Sequence, residues 1–341
     1  VYKRQGTHLH HNVDILIVGG GLSGLLAAKK LAGTNKDVLL IERENELGGI
    51  LKNSNKVKSI NVQKTSEWLE KTERLLKNSS NIKILKNTTV TTYNYSNHLT
   101  AIEDRSVGIE PDNKKPELVL HKIRTENTIL ANGHIERFLS FRNNDLPGVM
   151  LAASFEKYIQ RYDVVPDNNP VIFTNNSSTY SLLKLLIDRN CIPKAYVDVR
   201  DLKKIERETL DLLEAYNIPF YPKSEIEGCD GNSEIKNISV RTKKNKIIKI
   251  KASMLCVSGG INPDIHLFTQ SKGLVKWDEK ILTFKPEKSF QKTITLGSVS
   301  GNFIFKKIID EVNQKLNFID GVNDIDLKIC LLYTSDAADE S

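Results

Sequence analysis

The sequence has few of the residues that would mark a stapled, metal-bound or secreted chain. Of its 341 residues only four are cysteine: Cys191, Cys229, Cys256 and Cys330. They are widely spaced and form no C-x-x-C pair, which excludes a zinc knuckle and a thioredoxin-like redox pair. Scattered thiols of this kind suit a cytoplasmic protein, each read as a small buried apolar side chain. No apolar run reaches the ~18 residues of a membrane helix, so no membrane partner is expected. No basic segment followed by an apolar one opens the chain, and nothing marks secretion. No Ser-His-Asp order or paired-carboxylate pattern stands out, which leaves hydrolase readings unsupported. The net charge is +7, but the lysines are spread. In "RTKKNKIIKIK" they interleave with isoleucine at strand spacing, as on a solvated hairpin face. Without a concentrated basic patch or a reading element, no nucleic-acid partner is expected.

What remains is an ordinary globular balance, 39% hydrophobic and 27% charged, and a length that predicts two domains. Both ends look foreign. "VYKRQ" (Val1–Gln5) and "LLYTSDAADES" (Leu331–Ser341) resemble translated adapter sequence, which implies a natural chain cut short. Residues 1–11 are therefore expected to be an artefactual or linker start and 330–341 an artefactual tail. His8, His10 and His11 cluster in that start. They could offer a metal site, but a mobile linker is the expectation, and no metal is assigned.

The informative stretch is "DILIVGGGLSGLLAAKKLAG", Asp14 to Gly33. "VDILIVGG" is a continuous apolar run bounded by glycine, as in a parallel strand buried on both faces. It feeds Gly19-Gly20-Gly21-Leu22-Ser23-Gly24, a G-x-G-x-x-G. Gly19 permits the tight turn, Gly21 lets a pyrophosphate approach bare backbone, and Gly24 lets the following helix pack closely on the strand. That helix points its free N–H groups and dipole at the phosphates. A second apolar strand, "KDVLLIE", ends at Glu42, close to the ~20 residues beyond the last glycine expected of a ribose-binding acid. An acid here favours a free ribose 2′-hydroxyl, hence NAD or the adenosine half of FAD. Arg43 keeps a 2′-phosphate open.

The second half repeats strand, turn and helix in "NNPVIFTNNSSTYSLLKLLIDRN", then the strand "PKAYVDVRD", and in "KKIERETLDLLEAYNIPF" an amphipathic helix with a short strand. This is a second Rossmann-like unit. Its turn, Thr174-Asn175-Asn176-Ser177-Ser178, has no glycine, which hinders approach to a pyrophosphate. A scaffold without nucleotide is the preferred reading of it.

"IERENELGG" (Ile41–Gly49) resembles the flavoprotein family with two dinucleotide-binding domains. So do the strand–turn–strand "NIKILKNTTVTTYNY" and the hydrophobic run Thr128-Ile129-Leu130-Ala131-Asn132-Gly133, where Asn132 replaces the family's threonine. The family's Gly-Asp motif has Gly297 here but Ser298 for the aspartate. A serine cannot supply the carboxylate acceptor for the ribitol of FAD, which favours NAD. "ANGHIERFLSFRNNDLPGVMLAASFEKYIQRYDVVPDNNPVIFTNN" (Ala131–Asn176) and "CVSGGINPDIHLFTQSKGLVKWDE" (Cys256–Glu279) resemble the alpha subunit of heterotetrameric sarcosine oxidase. Related subunits occur in opine oxidase, hydrogen cyanide synthase and dye-linked proline dehydrogenase.

That resemblance implies an α/β fold of two Rossmann-like dinucleotide-binding domains, glutathione-reductase-like, the second inserted in the first. Residues 12–165 and 257–329 would form the first domain and 166–256 the second. It implies NAD (alternatively FAD) in the first site, FMN at a subunit boundary, and a flavin-containing beta-type partner that binds a small amine substrate. It assigns Gly19, Gly21 and Gly24 to the pyrophosphate and Glu42 to the ribose, and counts Leu22 and Ser23 among the cofactor-binding residues. Arg43 and the backbone of Val90 fall beside the adenine and Gly49 beside the phosphates. Ala131 and Gly133 close over the middle of the cofactor, and Gly297 forms the last wall. His134, Glu136 and Arg137 could face cofactor or partner, or be surface residues. His266 could be catalytic, but a helix-face histidine satisfied by a neighbour is the expectation. Two other functions stay open: a stand-alone NAD(P)H-dependent reductase with FAD in the first site, and a non-redox scaffold with a structural dinucleotide.

Overall fold

The computed structural model describes residues 7–53, 57–106 and 117–331. The chain divides into two units. The first takes the chain up to Leu51 with Val57–Ile135 and Asn262–Cys330; the second is built on Glu136–Ile261.

The first unit is organised around one long strand, Thr7–Val18. Its apolar half is buried on both faces, with Leu16 and Ile17 fully inaccessible. It is flanked in parallel by Val38–Ile41 and by Leu118–Leu130. Ile82–Leu85 extends the sheet on one side, and Thr293–Thr295 pairs in parallel with the end of Leu118–Leu130. The other half of that strand turns antiparallel, pairing with His98–Asp104, which pairs with Thr88–Asn94. The sheet is thus parallel where helices cover it and antiparallel where hairpins complete it, as short connections require. The helix Leu22–Leu31 is buried on nearly every side, and the helix Phe305–Leu316 faces inward with Phe305, Ile308, Ile309, Val312 and Leu316. Apolar residues at that spacing form one stripe.

The second unit has a five-stranded parallel sheet, ordered Val149–Leu151, Leu255–Ser258, Val171–Thr174, Ala195–Asp198, Phe220–Pro222. Helices Ala152–Tyr162, Tyr180–Asp188 and Arg207–Ala215 pack with it, and a three-stranded antiparallel layer (Glu225–Asp230, Asn237–Arg241, Ile247–Lys251) completes the unit. The "RTKKNKIIKIK" string is the expected hairpin, while the string expected to form one helix splits into a 3-10 turn, Leu202–Lys204, and the helix from Arg207.

Two expectations need correction. Residues 7–11 are no linker: they are strand, and His11 stacks on the buried His121 with ring centroids 5.1 Å apart. The domain boundaries at 166 and 256 also fall inside the second unit. Val149–Leu151 pairs with Leu255–Ser258, and Phe155 and Ile159 sit in the unit's core, so packing draws in both flanks. Val1–Gln5 and residues 332–341 lie outside the described residues; Leu331 ends the short strand Ile329–Leu331.

Candidate dinucleotide-binding site

The site lies at the C-terminal ends of the first unit's parallel strands, where such sheets bind ligands. Gly19 has φ +104°, and its N–H donates to Ile41 O at 2.8 Å. A Cβ on Gly19 would lie 2.4 Å from Ala131 O, and one on Gly24 would lie 1.8 Å from Gly19 O. Both glycines are therefore needed by the fold itself. Gly21 differs. It caps the helix with φ −74°, no side chain caps that end, and a Cβ would meet nothing within 4 Å. The turn is bare where a phosphate would approach, beside N–H groups that the first turn of a helix leaves without partners.

Glu42 is buried, 8% exposed. Its Oε2 accepts the Gly20 N–H at 2.6 Å and its Oε1 the Glu44 N–H at 2.8 Å. Each carboxylate oxygen keeps a second lone pair for a hydroxyl. The acid is thus fixed to the glycine turn, with acceptor capacity left for a ribose diol. Arg43 is 74% exposed beside it, its Nε 3.9 Å from Glu44 Oε1.

Of the other expected residues, Gly49, Ala131 and Gly297 approach this turn or the strand and helix that flank it. The Gly48 N–H donates to Gly20 O at 2.8 Å, and a Cβ on Gly49 (φ +52°) would lie 3.0 Å from Gly21 Cα. Val90 packs its side chain with Leu16, Val18, Leu39 and Ile41, beside a register shift between Val90 and Thr92. The Ala131 N–H donates to Val18 O, and Gly133 (φ +84°) accepts from the Asp264 N–H. Asn132, in the threonine position, donates through Nδ2 to Asp264 O at 2.7 Å, while its buried Oδ1 has no partner. Gly297 (φ +72°) closes on the cradle helix: a Cβ there would lie 2.0 Å from Ser23 Oγ. Ser298 lies within the 3-10 turn Gly297–Ser300.

His134 stands edge-on to Phe303. Glu136 and Arg137 belong to the second unit, where Glu136 Oε2 accepts the Ala153 N–H and Arg137 donates to Gly260 O and Ile261 O. His266 is exposed and pairs with Asp264 Oδ1 at 2.8 Å, the satisfied helix-face histidine expected. Among the described residues no group of three or more His, Cys, Asp or Glu could hold a metal, and no helix is long and apolar enough to cross a membrane.

Sequence reasoning missed Glu311. This buried carboxylate accepts the Gly297 N–H (2.8 Å), the Ser300 hydroxyl (2.6 Å) and the Lys315 ammonium (2.6 Å). It holds the Gly297 turn against Ser23. A charged residue on an amphipathic helix resembles a solvated one, so no local signal separates it.

Residues 17–77 match a family of NAD(P)-binding Rossmann-like domains. Along most of its length the chain is similar to sarcosine oxidase subunit alpha. It is 28% identical to that of Corynebacterium sp. strain P-1 over 87% of this chain and 31% of the relative. It is 29% identical to that of Rhizobium meliloti over 83% and 27%. The chain thus spans less than a third of these relatives. Among solved structures, T. acidophilum thioredoxin reductase superposes with TM-score 0.64 at 14% identity, covering 89% of this chain and 94% of that one. L-proline dehydrogenase from P. horikoshii superposes with TM-score 0.61 at 20% identity, covering 86% and 52%. The fold is therefore the two-unit Rossmann-like α/β architecture, and the sequence similarity is to sarcosine oxidase subunit alpha, as the Ala131–Asn176 string implied.

Proposed function

We propose that this chain is part of an FAD/NAD(P)-binding oxidoreductase, a subunit of an amine-oxidising complex like sarcosine oxidase. It would bind NAD in the first unit and frame a flavin shared with a partner subunit. One observation carries the reading. The backbone is bare above Gly21, and beside it a buried carboxylate, Glu42, is held by two N–H groups with lone pairs to spare. These residues fit a dinucleotide: a diphosphate against Gly19–Gly24 and the helix end, and a ribose diol on Glu42.

A nicotinamide dinucleotide, when bound, supplies a hydride donor or acceptor. The chain's own part is to hold it. Leu22 and Ser23 present N–H groups to the diphosphate, and Gly49 covers the phosphates. Arg43 and the Val90 backbone flank the adenine. Ala131 and Gly133 lie along the middle, and Gly297, fixed by Glu311, closes the far side. Oxidation of the amine falls to a flavin-bearing beta-type partner, with FMN at the shared boundary.

FAD in the first site, as in a stand-alone reductase, is the alternative; Ser298 counts against it. The deciding experiment releases the small molecule from purified protein by denaturation and records its spectrum and mass. A colourless adenine dinucleotide supports NAD, a yellow extract supports FAD, and no dinucleotide at all overturns the proposal.

A further inference from the structure

In the second unit the strand Val171–Thr174, the turn after it and the helix Tyr180–Asp188 repeat the element order of the first unit's cradle. Counted from the strand end, Asn175 stands where Gly19 stands in the first unit, and Ser177 where Gly21 stands. The second position is the one that must be bare if a diphosphate is to lie on the backbone. Here it carries a side chain with partners on two sides. Ser177 Oγ donates to Glu206 Oε1 and accepts from Arg200 Nη1 at 2.9 Å. Arg200 Nη1 also lies 3.3 Å from Glu206 Oε1.

Arg200 is anchored in turn. Its Nη2 donates to Asp198 Oδ2 at 2.9 Å, its Nε approaches both Asp198 oxygens, and its backbone N–H donates to Asp198 Oδ1 at 2.8 Å. Asp198, the last residue of its strand, is fully buried. Its oxygens are engaged by one arginine, through guanidinium and backbone N–H together, unlike those of Glu42. Other groups of the turn are engaged as well. The Asn176 N–H bonds Thr174 Oγ1, and the Ser178 N–H bonds Asn176 Oδ1. Asn176 Nδ2 donates to Ser258 O, and the Ser178 and Ser258 hydroxyls lie 3.0 Å apart.

We propose that the second unit's ligand edge is sealed from within by the chain Asp198–Arg200–Glu206–Ser177 and admits no dinucleotide. The Glu206 carboxylate lies against Ser177 and Arg200, an internal anion where a phosphate would otherwise sit. Admitting a nucleotide diphosphate there would bring a second anion against Glu206 and strip Ser177 of its partners. This inference concerns the second unit alone and does not depend on what the first unit binds.

Hydrogen exchange of the chain with saturating NADH, and separately NADPH, tests it. Residues 171–180 and 195–206 should exchange at the same rate with and without either nucleotide. Protection of those segments by either one would overturn the proposal. Protection of residues 17–24 and 38–49 is the separate mark of the first site, so the two readings fail independently. A second measurement tests the seal itself. Arg200→Lys keeps the charge but not the forked contacts. It should speed exchange at 175–180 roughly tenfold and leave 17–24 unchanged. An unaltered rate at 175–180 would show that Arg200 does not hold the turn.

Discussion

Gly21 and Gly24 lie in one turn yet should respond to a methyl group in opposite ways. Gly21→Ala meets no protein atom within 4 Å and has an ordinary φ, so the melting temperature should hold. Dinucleotide affinity should fall by roughly ten- to a hundred-fold, the ~1–3 kcal/mol of a clash in a filled site. Gly24→Ala drives its methyl into Gly19 O and should unfold the first unit. Equal cofactor retention in Gly21→Ala and wild type, measured on released ligand, would remove the diphosphate from this turn. Glu42→Ala should cost about 1–3 kcal/mol of stability by leaving two N–H groups unpaired, read by denaturant unfolding. Among the thiols, burial pushes Cys229 up to about 11 and Cys256 well above its ordinary value, while Cys330 is exposed. An alkylating reagent on native protein should label Cys330 first, since only the thiolate reacts; mass spectrometry reads the order.

At the scale of elements, the opening strand is held by more than its ladder. His11 Nε2 lies 2.9 Å from His121 Nδ1, and His121 Nε2 lies 3.0 Å from Glu103 Oε2. His11 is held below its ordinary 6.5, first by burial and then by the positive charges of Lys83, His121 and His10, against the opposing Glu103. The unfolded chain therefore takes a proton at His11 at a higher pH than the folded one. Stability from this group is complete above 6.5 and is lost as the pH falls through that value and below. Melting temperatures should drop from pH 7 to pH 5, and His11→Phe should shrink that drop; an equal drop in both proteins would dismiss the histidine. Glu103 titrates outside this window. Burial would raise it, but its bonds from Arg105 and His121 outweigh that and hold it below 4.5. The cradle helix carries a second polar anchor. Lys30, buried, donates to Asn313, Asn317 and Asp324. Asp324→Ala should lower stability by about 1.5–3 kcal/mol, the range for a hydrogen bond to a charged group.

At the scale of the whole molecule, the chain matches under a third of the length of its sarcosine oxidase relatives. On the proposed function, purified chain without partners should show almost no sarcosine or NADH oxidase turnover. Robust steady-state oxygen consumption by the isolated chain would instead favour the self-sufficient reductase.

Much of the candidate site was legible because its signals are consecutive. An apolar run, a glycine triplet, a helical repeat and an acid at the next strand end are all set by local backbone geometry, and they placed Gly19, Gly21, Gly24 and Glu42 in one cradle. The sequence by itself also determined the repeated strand–turn–helix of the second unit and its lack of glycine. Only tertiary structure decided that Glu311 bonds the Gly297 turn, that Arg200 reaches Ser177 and Glu206 at the second turn, and that residues 7–11 continue a strand into the sheet. Those contacts join groups on different elements. A buried charge and a solvated one are spelled alike, and burial is decided by what packs over them.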